Sequence, residues 1–414
     1  MHKPHWLFID TAQAFGGHEV MLLRWMAEMR RQARITPVLI ARANTRLYEQ
    51  APSGVLAMPL HGIETAADMQ GPSGIRHFSR FFTRIAVIYL NIYRLARYVL
   101  RLRPALVIVA EGTLLSSAWV TVLLRLLAIK TVIYVPLTQS GTEMGFGRGA
   151  LRDWLVRKIY RHLPHAWITL TAEQAENFPG WSQIRQPVFV LPNTVAPEIE
   201  AAMLARINNP DLLVQPVSKP LRVLILGRLD AHQKNLDTLL NFLCLRIGLS
   251  TDFHFTFAGD GPYGAEIDRR LSVFPALRKL VSLRKWSATV DVMREHDVLL
   301  LPSRYEGVPL VMLEAMALGL PVIATSLPGT RALLKPDCLF STGNYEHAMQ
   351  LLHSVKQDTK RIGLIERNRE IFMEQASSAM FARAVDTLTN RLINLVNAVP
   401  DTDTQPDDVT VIRT

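Results

Sequence analysis

The chain has 414 residues, 49% of them hydrophobic and 20% charged, which fits a globular protein and excludes a disordered one. That length exceeds one ordinary core, so two domains of near-equal size are expected. The net charge of +10 sits wholly in the first half: residues 1–196 carry 22 Lys/Arg against 11 Asp/Glu, and residues 197–414 carry 24 against 25.

Residues 6–10 (WLFID) read as a strand, followed by a turn at Gly16-Gly17 and an apolar-periodic helix. Strand, glycine turn and helix make the opening unit of a doubly wound sheet, with the turn at the carboxyl edge where such folds bind ligands. Residues 36–41 and 55–59 are further strands, and after a Gly/Pro-rich loop a helix is predicted over 75–104. That helix carries seven Arg and no acid beside one broad apolar face, from Ile75 through Phe78, Phe82, Ile85, Tyr89, Ile92 and Ala96 to Val99. Two readings stand side by side: a crossover helix with a solvated basic back, and a helix lying on an anionic bilayer surface. Residues 105–112 form a buried strand ending near Glu111. The apolar helix after it, broken by Arg125, is shorter than the roughly 20 residues a membrane span requires. Residues 131–135 give the next strand, and a long glycine-rich loop from Pro136 to Gly149 is expected to be functional. AWITL and VFVLPNT close the first half, a domain over 1–196.

Residues 197–220, with four prolines, look like an interdomain connection. Residues 221–226 restart a strand, Gly227 turns it, and Arg228 and Lys234 sit on the loop before a helix, where two cations can meet a pyrophosphate. FHFTFAGDGP is a strand with a tight turn. Then comes DVLLLPSRYEGVPLVMLEAMALGLPVIAT, from Asp297 to Thr325: a buried strand, a loop, a helix and a second strand, hence one βαβ crossover. Glu306 stands at the strand-to-helix turn and Glu314 follows eight positions later, so both can project from one side of that helix. The run from Gly307 to Leu310 aims free backbone N–H groups at whatever lies above the strand, which suits phosphate. The bland alternative is an amphipathic helix with solvated Glu residues. The second domain is read over 221–375, a returning helix over 376–399, and a disordered polar tail over 400–414.

The Glu-x7-Glu spacing, framed by Pro-Ser, Glu-Gly, Leu-Glu-Ala-Met-Ala and Pro-Val-Ile-Ala, resembles the nucleotide-sugar motif of retaining glycosyltransferases of family 4, also called glycosyl transferases group 1. The resemblance covers residues 221–342 and implies a GT-B fold: α/β, two doubly wound Rossmann-like domains facing across a cleft. It implies that Glu306 touches hydroxyls of the donor sugar and that Glu314 binds the ribose. Arg228 and Lys234 would then hold the donor phosphates together with N–H groups of Gly307, Val308 and Leu310. Gly16 and Gly17 would let backbone approach the donor. On the acceptor side His18, Glu111, Thr138 and Glu143 are candidates, because this chain has Pro136-Leu137-Thr138 where many relatives place a His. Catalysis would rest on Glu306, Arg228 and Lys234, without metal or cofactor, and no His/Asp/Cys metal cluster is legible.

The implied activity is transfer of a sugar from a nucleotide-sugar to a glycan, lipid-linked at a membrane, as in capsule, exopolysaccharide or lipopolysaccharide assembly. The alternatives are a soluble acceptor, or a sugar-nucleotide-binding subunit without turnover. Partners are thus the donor, the glycan and an anionic membrane surface, with no nucleic acid expected. Two cysteines in apolar surroundings and a short apolar run at the N-terminus lead to the expectation of a cytoplasmic protein, peripheral on the inner face of the plasma membrane.

Overall fold

A computed structural model describes residues 3–12, 15–61, 73–207, 218–247 and 252–397, without the side chains of 73–85. The tail expected over 400–414 lies outside the described residues, as does most of the Gly/Pro-rich loop before Ser73.

The chain forms two compact units: residues up to Leu191 together with those from Ala382 on, and Pro192–Phe381. Both are Rossmann-like, with wholly parallel sheets.

In the first, seven strands lie in the order β3-β2-β1-β4-β5-β6-β7. They are β1 (His5–Asp10), β2 (Thr36–Arg42), β3 (Leu56–Leu60), β4 (Leu106–Ala110), β5 (Thr131–Tyr134), β6 (Ala166–Thr169) and β7 (Val188–Val190). Phe8 pairs with Leu39 on one side and Ile108 on the other, so the order reverses beside β1. Central strands such as LVIVA are buried on both faces, and that is why they read as unbroken apolar runs. Trp25, from the helix Gly17–Gln32, seats that helix edge-on against Phe8, with ring centroids 5.1 Å apart.

The long helix spans Ser73–Leu102 and, among its described side chains, buries Asn91, Leu95 and Val99; the side chains of Ile75, Phe78, Phe82 and Ile85 lie outside the described residues. Tyr89, which periodicity places on the broad apolar face, is 69% exposed. The helix Ala172–Ser182 was not anticipated. It opens on Thr171, whose hydroxyl accepts from the Gln174 N–H, so a T-x-x-Q capping signal was present to be read.

The second unit has six strands in the order β10-β9-β8-β11-β12-β13. They are β8 (Leu221–Leu226), β9 (Phe253–Ala258), β10 (Val281–Arg284), β11 (Val298–Leu301), β12 (Val322–Thr325) and β13 (Leu339–Phe340). Its order reverses at β8 and β11, the place where doubly wound sheets open a crevice at their carboxyl ends. The helix Leu310–Leu318 is apolar almost all round because it is wrapped, meeting the helices Pro197–Ile207 and Asp358–Gln375. Gly319, at φ +70°, ends it in the left-handed conformation.

The unit boundaries differ from the sequence reading: the first unit's opening segment ends at Leu191 instead of 196, and the second unit runs on to Phe381 instead of 375. Residues 197–220 do not form a plain connection: Pro197–Ile207 is a helix of the second unit, with Ile199 and Met203 buried and Arg206 donating to the Leu318 carbonyl at 2.6 Å. Pro197 opens it, at a position where a missing N–H costs nothing. The last helix, Ser378–Asn397, joins the first unit from Ala382, where Arg34 pairs with Asp386 at 3.0 Å and Gln32 donates to the Ala382 carbonyl.

Candidate active site

In the second unit the functional side chains gather at the carboxyl ends of β8 and β11. Gly227 leaves β8 at φ +143°, and a Cβ on Gly259 would stand 1.9 Å from the Gly227 carbonyl oxygen. The turn after β9 therefore supports the turn after β8 backbone against backbone, and the Leu229 N–H donates to the Asp260 carbonyl at 2.9 Å. The Gly-Asp-Gly-Pro turn is thus the underlay of the Arg228 loop. Arg228 is exposed, with Nη2 donating to Gln233 Oε1 at 2.7 Å. Lys234 reaches from the same loop to Glu306 and forms an ion pair with its Oε1, which also accepts from the Ser303 hydroxyl at 2.9 Å. Arg304 ties the two strand-end loops together, its N–H donating to the Gln233 carbonyl and its guanidinium to Asp237 and Thr238. A small cavity between these loops is lined by Gly227, Arg228, Lys234 and Ser303. A larger hollow of about 250 Å³ beside Phe253 and His353 holds none of these residues.

Helical phase does not relate the two glutamates. The helix begins at Leu310 with Pro309 as its cap, so Glu306 lies in the turn before it and only Glu314, half-buried, is on it. Among the described residues none accepts a hydrogen bond from the N–H of Val308 or Leu310, which leaves both for an anion.

The first unit holds the other candidates. Gly16 and Gly17 are exposed at the start of the helix Gly17–Gln32, and Gly16 N–H donates to Glu19 Oε2 at 2.8 Å. His18 is pinned: Nε2 lies 3.2 Å from Asp10 Oδ2 and Nδ1 3.0 Å from Glu19 Oε2. Both carboxylates are buried, and burial raises the Glu19 carboxyl above its ordinary range. The donor atoms of Asp10, His18 and Glu19 all lie within 4.8 Å of one another, a grouping of cation-binding types that was not legible from spacing. The ring rests over Gly112, where a Cβ would come within 2.9 Å of it.

Glu111 turns into the core of its unit. It is fully buried, accepting from Tyr160 Oη at 2.6 Å and from the Leu115 N–H at 3.1 Å, and burial pushes its carboxyl up to about 7. Thr138 is also buried, and its carbonyl accepts from Trp181 Nε1 at 2.8 Å. Glu143 is exposed, but it closes its own loop, accepting from the Ser140 N–H at 3.0 Å while its N–H donates to Ser140 Oγ. The glycine-rich loop is anchored by Asp153, a residue that sequence reading passed over. Its carboxylate accepts from the N–H groups of Gly141 and Thr142 and from the Thr142 hydroxyl.

The sequence profile of the glycosyl transferases group 1 family matches residues 220–357. Two Escherichia coli proteins are similar over short stretches. The UDP-Gal:alpha-D-GlcNAc-diphosphoundecaprenol alpha-1,3-galactosyltransferase is 33% identical over 90 residues, 22% of this chain and 23% of that one. The O-antigen biosynthesis glycosyltransferase WclY is 31% identical over 105 residues, 25% of this chain and 29% of that one. The chain thus matches less than a third of the length of either relative. Solved structures agree over nearly the whole chain in fold alone. Sucrose-phosphate synthase of Thermosynechococcus elongatus has a TM-score of 0.71 at 17% identity, covering 94% of this chain and 99% of that one. Anabaena HepE in complex with UDP-glucose has a TM-score of 0.68 at 14% identity, covering 94% and 100%. The chain is therefore of the GT-B fold, two Rossmann-like units, and its residues 220–357 match the glycosyl transferases group 1 family.

Proposed function

We propose that this protein is a retaining glycosyltransferase that takes a sugar from a nucleotide-sugar donor and adds it to a lipid-linked glycan at the cytoplasmic membrane face, in the assembly of a surface polysaccharide. The carrying observation is the Lys234–Glu306 pair beside Arg228 and the open N–H groups of Val308 and Leu310. Charge builds on the leaving diphosphate as the glycosidic bond breaks, and preorganised cations and dipoles at that point lower the barrier. Arg228 and Lys234 would hold the two phosphates with those N–H groups; Pro309 has no donor to offer. Glu306 would accept from hydroxyls of the donor sugar, and Glu314 from the ribose. These cations supply the positive charge the diphosphate needs, so we read the reaction as independent of metal. The two-carboxylate scheme of glycosidases does not transfer, because Glu306 and Glu314 come from one crossover instead of flanking a bond. Attack on the leaving-group face, with the phosphate taking the acceptor's proton, fits retention.

The E. coli relative named for a diphosphoundecaprenol acceptor and the one named for O-antigen biosynthesis support the lipid-linked reading. So does the first unit's surface. Tyr89, Tyr93 and Leu100 of the helix Ser73–Leu102 are exposed, as is Leu126 of the helix Ala118–Leu126 packed on it, beside exposed Arg97 and Arg101. Among the described residues no helix is long and apolar enough to cross a membrane, so attachment would be peripheral.

Titration with UDP- and GDP-sugars, followed by slow donor hydrolysis and transfer to a diphosphate-lipid glycan, tests the reading. Binding with neither hydrolysis nor transfer would leave a nucleotide-sugar-binding subunit. Transfer only to soluble glycans would remove the lipid.

A further inference from the structure

The loop from Gly307 to Leu310 can receive a diphosphate only if its peptide planes are held with their N–H groups outward, and two residues far off in sequence meet it from outside. On one side stands Gly329. A Cβ there would lie 1.4 Å from the Gly307 carbonyl oxygen, so only a bare Cα lets that carbonyl point at it. In a trans peptide the C=O and N–H point opposite ways, so this contact sends the Val308 N–H away from Gly329. On the other side is Asn193, just after β7 and the first residues of the second unit. Its Nδ2 donates to the Val308 carbonyl at 2.8 Å, which fixes the next plane, the one before Pro309. Asn193 is 6% exposed, and among the described residues its Oδ1 accepts from no donor. A buried amide with one end left unsatisfied is costly, and here its only described partner is the loop.

We propose that Asn193 is a positioning residue for the donor diphosphate, acting with Gly329 to fix the Gly307–Leu310 loop so that the Val308 and Leu310 N–H groups meet the phosphates. This rests on the donor-binding reading of the second unit. Neither residue touches the ligand; Asn193 acts through the Val308 peptide.

The test compares the full-length wild type with Asn193→Ala, using UDP and GDP against uridine and guanosine as probes. Affinities come from calorimetry for the diphosphates and from saturation-transfer NMR for the nucleosides. Expected is a loss of about tenfold for the nucleoside diphosphate, the worth of one hydrogen bond, with nucleoside binding unchanged. A merely structural role would lower both equally, and that outcome overturns the proposal. So does unchanged diphosphate affinity. Should Asn193→Ala not fold, Asn193→Ser, too short to reach the Val308 carbonyl, is read by the same two outcomes. A wild type that binds neither UDP nor GDP would overturn the donor reading itself, a separate failure.

Discussion

Lys234 and Glu306 neutralise each other at the mouth of the β8–β11 crevice, an ammonium from one strand-end loop against a carboxylate from the next. The pair is lopsided, because Glu306 is 8% exposed while Lys234 keeps more of its surface in water. Removing the cation strands a buried charge, whereas removing the carboxylate leaves an amine that can hydrate. Lys234→Met is therefore expected to cost about 2–3 kcal/mol of stability and Glu306→Gln about 1 kcal/mol or less. Each should lower sugar transfer at least about 100-fold, Lys234→Met by removing a charge contact to the developing diphosphate and Glu306→Gln by weakening the acceptor for the donor sugar's hydroxyls. Urea unfolding and a transfer assay on both variants measure this. Transfer that survives Glu306→Gln would remove Glu306 from the site.

Arg228 is the opposite case, exposed and, among the described residues, hydrogen-bonded through its side chain to the neutral Gln233. Arg228→Ala should leave the unfolding midpoint almost unmoved and weaken nucleoside diphosphate binding about tenfold at low salt, a gap that narrows as salt screens the wild-type contact. Calorimetry at two ionic strengths reads it, and a salt-independent loss would argue that Arg228 acts by packing.

The strands were legible because two-sided burial writes them as apolar runs; residues 221–226 coincide with β8. The place of Glu306, in the turn between β11 and the helix Leu310–Leu318, was legible through its neighbours, as was the order of elements around it. What escaped was non-local. Glu111 ends a strand at the carboxyl edge, and Tyr160, 49 positions on, helps hold it inward. Asn193 could not be linked to the Gly307–Leu310 loop, because Val308 is 115 positions away. Asp10, His18 and Glu19 meet only when β1 and the following helix are set side by side, which spacing does not disclose. Prolines misled over Pro197–Ile207, since Pro at a helix start and Pro in a linker spell alike.

Gly259 has no room for a methyl group. It stands at φ +145°, and a Cβ would be 1.9 Å from the Gly227 carbonyl oxygen. Gly259→Ala should destabilise the second unit by about 2–4 kcal/mol through backbone displacement and strain, and weaken nucleotide binding through the shifted Arg228 loop. Thermal unfolding with and without UDP checks both, and a variant as stable as wild type would mean that the turns are not in contact in solution.

The exposed aromatics of the helix Ser73–Leu102 make a statement about lipid. Tyr89→Asp with Tyr93→Asp should lower binding to vesicles containing phosphatidylglycerol by more than about tenfold, since each substitution removes a burying ring and adds a repelled charge. Sedimentation with anionic and neutral vesicles measures it. High salt should release the wild type in part. Equal binding of the double variant would place the contact elsewhere.

Glu111 sets a pH dependence in the first unit. Burial lifts its carboxyl from the ordinary 4.5 to about 7, against the opposing hydrogen bonds from Tyr160 and Leu115. A carboxyl whose folded pKa lies above its unfolded one contributes stability fully present below the unfolded value and lost as pH rises through the folded value. The wild type should therefore lose stability between about pH 4.5 and 7 through this group. Glu111→Gln keeps an acceptor for Tyr160 and cannot ionise, so it should lack that decline. Relative to wild type, the variant should gain on the order of 3 kcal/mol between pH 5 and pH 8. Urea unfolding of both proteins at the two pH values reads the difference directly. A difference that does not change with pH would mean that Glu111 ionises as easily in the folded chain as in the unfolded one.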